Sequence, residues 1–240
     1  MVINWPAIIN IFRYTSLFSH LLPLVFFLVF KRNTTEKSLK VIFIYIIYCL
    51  LNEVLGYYFH EIQFQYTFVV FAVFTIVEFT CFSLFYYHAF PLKSAKTKIL
   101  IVLALFIAFS FIDFFLVNKM NSFDSIAVGV ESIIIILFCI GYLVVQLRGS
   151  DNLFVYSTSN FWIVITFLIY LSGTFFLYIM AENMIMSRSF LIQYTIINSV
   201  FNILKNILLS IAMLMKDSPP DIPVRKNKDW DDLLALKFKN

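Results

Sequence analysis

Seven apolar runs, each about 20 to 26 residues long and separated by short polar connections, leave this 240-residue chain few ways to fold. A helix rises ~1.5 Å per residue, so a run of this length crosses a hydrocarbon layer of ~30 Å once. The spacing predicts spans from Ile8 to Phe30, Lys40 to Phe59, Tyr66 to Ala89, Lys98 to Val117, Phe123 to Leu147, Asn160 to Ala181 and Phe190 to Met215. The expected fold is all-α, a seven-transmembrane-helix bundle over residues 1–216 with a short tail at 217–240. Only 13% of residues are charged and 61% are hydrophobic, against ~25% charged in soluble domains, so the lipid bilayer is the chain's first partner. No stretch remains for a separate soluble domain.

Charge in the connections sets the expected orientation. Lys31, Arg32, Lys37 and Lys40 follow the first span, Lys93, Lys96 and Lys98 the third, Arg148 the fifth, and Lys216, Arg225, Lys226 and Lys228 the seventh. The opposite side offers only Lys119 and Arg188, plus Arg13 inside the first span. Basic loops stay in the cytoplasm, which places the N-terminus outside and the C-terminus in the cytoplasm. The net charge of +4 follows this topology and is no sign of nucleic-acid binding. The opening residues MVINWPAIIN lack a basic n-region and a small-residue cleavage site, so the first span is expected to be retained.

Several residues have predicted structural tasks. Pro23 should kink the first span. Trp5, Tyr14, Trp162 and Tyr178 are placed for an interfacial aromatic belt. Cys49, Cys81 and Cys139 fall inside apolar runs without metal or redox spacing and read as small buried apolar residues. In the tail, Asp229 is a candidate N-cap for an amphipathic turn carrying Trp230, Leu233, Leu234 and Phe238. A faint internal repeat aligns Glu78, Glu131 and Asn198 and suggests one helix followed by three related hairpins.

The polar residues inside the spans carry the functional expectation. The last span holds Lys205, and Asn198, Asn202 and Asn206 share about one helical face with it. A lysine near mid-membrane costs ~2.5 to 3.5 kcal/mol on insertion scales, so it should face inward and find a partner. Counting along the alternating helices places Arg13, His20, Glu53, Glu78, Asp113, Glu131 and Lys205 in one layer. The expected pairings are Lys205 with Glu78 or Glu131, and Arg13 with Glu53 or Asp113. Such a network either fixes helix register or forms a ligand, ion or proton site. Tyr45, Tyr48 and Asn52 on the second span, and Thr166, Tyr170 and Thr174 on the sixth, form two further polar stripes. HExxH, GxSxG, CxxC and phosphate-cradling glycine loops are all missing from the sequence, so no enzyme, cofactor or metal site is expected.

The stretch FVYSTSNFW at Phe154 to Trp162, the run NFWIVITFLIYLSGTFFLYIMAE that overlaps it, and the later INSVFNILKNILLSIAML resemble a group of seven-helix bacterial membrane modules, some of which precede sensor histidine kinases. The resemblance implies a multi-pass protein of the bacterial plasma membrane, associated with sensing or signalling. With no dimerisation or ATP-binding domain before Asn240, output is expected to need a separate signalling protein at the cytoplasmic face. Microbial rhodopsins also carry a lysine in the seventh span, but Phe201 stands here where their acidic residue falls. The expected function is a sensory or signalling module that binds a small ligand or partner through the intramembrane polar cluster. The alternatives are a proton- or ion-coupled transporter and a structural subunit of a membrane complex.

Overall fold

A computed structural model describes residues 5–62, 64–117, 125–149, 155–184 and 187–217. The helices are α1 (Trp5–Ser19), α2 (Leu21–Phe26), α3 (Lys37–Ile62), α4 (Phe64–Ala89), α5 (Lys93–Ile112), α6 (Ser125–Gly149), α7 (Ser159–Met184) and α8 (Arg188–Leu214). Single π-helical turns at Phe27–Lys31 and Asp113–Val117 extend α2 and α5. Together these elements form seven spans long and apolar enough to cross a membrane, as predicted for a multi-pass protein in contact with lipid. Their ends lie within a few residues of those read from the sequence. The tail turn built on Asp229 lies outside the described residues.

Successive spans run in opposite directions. The side on which α1 begins is called the N-face here, and the side on which α8 ends the C-face. The first span packs along α8, α3 along α4, and α7 along both α6 and α8, closing a ring in which α4 also meets α6. The fourth span, α5, packs outside this ring on α4 and only grazes α6. The repeat had suggested a hairpin of the fourth and fifth spans, and this pair is the exception. The outward faces of α5 and α6 expose Leu105, Leu116 and Leu137, which suit lipid tails.

Between mid-depth and the C-face the ring interior is filled by aromatic side chains. Tyr45 packs on Phe82 with ring centroids 5.0 Å apart, Phe82 on Phe167 at 4.1 Å and Phe85 on Phe167 at 5.8 Å. Tyr86, Tyr142 and Phe90 continue the layer toward the C-face. All six of these residues other than Phe90 are at most 1% exposed, so this half of the bundle is a packed core. The Tyr86 hydroxyl lies 2.9 Å from Cys139 Sγ, and Cys49, Cys81 and Cys139 are all buried free thiols, in keeping with their reading as core residues.

A candidate ligand cavity above Lys205

The first span breaks where its sequence interrupts the backbone ladder. Pro23 has no N–H to give the Ser19 carbonyl, and its ring crowds that carbonyl. The chain accordingly turns at His20, between α1 and α2. The His20 backbone N–H bonds to Leu17 O at 3.3 Å, and its ring Nδ1 lies 2.9 Å from Ser16 O. The break therefore lies three residues before the predicted kink residue, and it directs Ser16, Ser19 and His20 inward, all buried. The Asn206 amide donates to Ser19 Oγ at 2.7 Å, fastening α8 to this break.

Lys205 lies at the centre of the bundle and is 2% exposed. Its Nζ donates to the Tyr45 hydroxyl at 3.1 Å, and Tyr45 donates in turn to Glu78 Oε1 at 2.6 Å. The ammonium also lies 4.3 Å from the centroid of the Tyr170 ring, a cation–π contact in a desolvated setting. The direct lysine–carboxylate pair expected from the sequence is thus replaced by a relay through one hydroxyl. A phenol suits this position because it accepts from the cation and donates to the anion at once. A second chain of polar groups runs from Tyr170 to the Tyr178 hydroxyl at 3.3 Å, and from Tyr178 to Asn198 Oδ1 at 2.8 Å. Tyr178 therefore faces the interior and not an aromatic belt, whereas Trp5 and Tyr14 are exposed.

Above this centre, on the N-face side, a cavity of about 460 Å³ opens. Its floor includes Lys205, Glu78, His20 and Cys49, and its upper wall includes Arg13, Phe71 and Asn198. Its rim carries Asn10, Tyr14, Val54 and Leu191, all exposed. On no contributing helix does the lining continue past the depth of Lys205, where the aromatic core begins. The cavity thus reaches mid-depth from one face.

Seven of the nine residues singled out from the sequence line this space: Arg13, His20, Glu53, Glu78, Asn198, Asn202 and Lys205. Asp113 and Glu131 do not. They are buried elsewhere, Asp113 in the π turn that ends the fourth span and Glu131 in α6. Glu53 lies 3.5 Å from His20 Nδ1, and Arg13 forms no ion pair with a described carboxylate. The expected pairing of Arg13 with Glu53 or Asp113 is therefore replaced by a carboxylate–imidazole contact across the first and second spans. The polar stripes divide as well: Asn52 and Tyr170 line the cavity, while Thr166 and Thr174 turn their hydroxyls back on carbonyls one turn earlier.

The C-face end of α8 is clasped by two connections. Lys31 Nζ donates to Met215 O at 2.6 Å and to Asp217 Oδ1, and Thr34 Oγ1 donates to Asp217 Oδ2 at 2.8 Å. From the other side Ser159 N donates to Lys216 O and Lys216 N to Ser157 O, at 2.9 and 3.1 Å. One rigid helix therefore lines the cavity at one end and enters this clasp at the other. Lys31 looks from sequence like any loop lysine, and only its burial at 7% exposure sets it apart. Comparison of the chain with protein-family models, curated proteins and solved structures finds no match.

Proposed function

We propose that the protein is a sensory membrane module that holds a small molecule in the N-face cavity and passes the event along α8 to the C-face. The observation that carries this reading is the one-sidedness of the cavity. It combines an apolar, aromatic wall with a few convergent polar groups, the usual make-up of a ligand site, and ends on a packed floor. A channel needs an open path to the second face, and a carrier would have to unpack the aromatic core that occupies that path here. The basic residues Lys31, Arg32, Lys37, Lys93 and Lys96 near the C-face favour an orientation with the cavity outside and the clasp in the cytoplasm. The resemblance to bacterial seven-helix modules favours the plasma membrane and a separate signalling partner at the clasp.

Reconstituted protein distinguishes a receptor from a carrier. In sealed vesicles it should take up none of a panel of labelled organic acids, amines and sugars faster than protein-free vesicles. In nanodiscs, members of the same panel should raise its melting temperature, because a ligand that binds only the folded state stabilises it. Uptake above the protein-free rate contradicts the sensory reading.

A further inference from the structure

The acceptors and donors lining the cavity are not equally engaged. Glu78 Oε1 accepts from Tyr45, Glu53 lies against His20, and Asn198 Oδ1 accepts from Tyr178. Arg13 carries five N–H groups, and among the described residues it has neither a hydrogen bond nor an ion pair. Lys205 gives one hydrogen bond and has donor capacity to spare. A ligand that satisfies Arg13 must therefore bring acceptors. Depth separates the two cations. Arg13 precedes Ser19 by six residues of α1, which places it about 9 Å nearer the N-face than the Ser19–Asn206 contact. Lys205 lies at that deeper level, next to Asn206. From the level of Arg13 down to that of Lys205 the wall carries rings, among them Phe71, Phe74 and Tyr178.

We infer that the cavity takes a monoanionic aromatic acid, its carboxylate held by Arg13 and its planar body packed among the rings between Arg13 and Lys205. This rests on the reading of the cavity as a small-molecule site. A guanidinium matches a carboxylate with two parallel N–H donors, so one arginine at the entrance serves one acidic group. Rings offer a planar guest both stacked and edge contacts that an alkyl chain cannot use. A volume of about 460 Å³ falls within the range of sites for small organic ligands.

The test compares 2-naphthoate, 2-naphthamide, 2-naphthylmethylamine and octanoate by thermal melting of the full chain in neutral-lipid nanodiscs. The acid should bind at least ten-fold more tightly than the amide, the amine or octanoate. Arg13→Gln should bring the acid down to the amide's affinity, and Arg13→Lys should retain a preference for the acid. If Arg13→Gln does not fold, the acid-to-amide ratio in the unaltered protein decides alone. Equal binding of acid, amide and amine overturns the acid assignment and leaves the cavity reading standing. No shift with any of the four at millimolar concentration overturns both.

Discussion

Lys205 and Glu78 share the Tyr45 hydroxyl, which accepts from the ammonium at 3.1 Å and donates to the carboxylate at 2.6 Å. Removing that oxygen deprives two buried charges at once. Tyr45→Phe should therefore cost ~1.5 to 3 kcal/mol for each of the two hydrogen bonds to a charged group that it removes. Lys205→Met should cost ~3 to 5 kcal/mol, because it leaves the Glu78 carboxylate buried without a counter-charge. The double variant should fall short of the sum of the two, since both act on one network. Reversible unfolding in mixed micelles measures all three. Additive losses would show that lysine and phenol act independently.

Gly173 on α7 is required by its neighbour on α8. A Cβ at this position would lie 2.0 and 2.2 Å from Cε1 and Cζ of Phe201. Gly173→Ala should destabilise by ~1 to 3 kcal/mol, the usual cost of overpacking. Adding Phe201→Leu should recover at least half of it. Gly56→Ala, where a Cβ meets nothing within 4 Å, is the control and should be neutral or stabilising. Equal losses at both glycines would point to a general intolerance of α7 and α3 to substitution.

Much of the site was legible because α8 is strongly two-sided. Its polar residues recur at helical spacing, which places Asn198, Asn202 and Lys205 on the inner face before any neighbour is known. By contrast, α4 and α5 are apolar almost all round, so nothing in their patterns tells which way a lone acid points. Depth could be counted for Glu78, Asp113 and Glu131, but rotation about the helix axis could not. Glu78 faces the cavity and the other two do not. The same blindness hid Tyr45 as the go-between and Tyr178 as an interior residue. Phenols are at home in a core, in a belt or against a charge, and only packing decides among these. The break at His20 was half-legible: Pro23 announced a distortion, while its exact position depended on which group would take the Ser16 carbonyl.

The clasp makes a separate prediction. Lys31→Met removes the donor shared by Met215 O and Asp217, at an expected cost of ~1.5 to 3 kcal/mol for a hydrogen bond to a charged group. The loss should be local. Amide exchange should quicken at residues 215–217 and 157–159, and the protection of Lys205 and its neighbours should be retained. Thr34→Val should have the same effect in weaker form, as it loses one bond to Asp217. Unchanged exchange at both segments would mean that the clasp does not hold the end of α8.

The most direct measurement of the central claim, a polar cavity open to the N-face and closed at Lys205, is cysteine accessibility in sealed vesicles of known orientation. Single cysteines are introduced as Asn198→Cys, Asn202→Cys and Ser83→Cys, after replacing Cys49, Cys81 and Cys139 by serine. Asn198 and Asn202 line the cavity, and Ser83 is fully buried in α4 on the C-face side of Glu78. The first two should react with a membrane-impermeant thiol reagent added to the N-face and not to the C-face, and the third from neither. Labelling of any of them from the C-face, or failure of the first two to label from the N-face, would contradict the account.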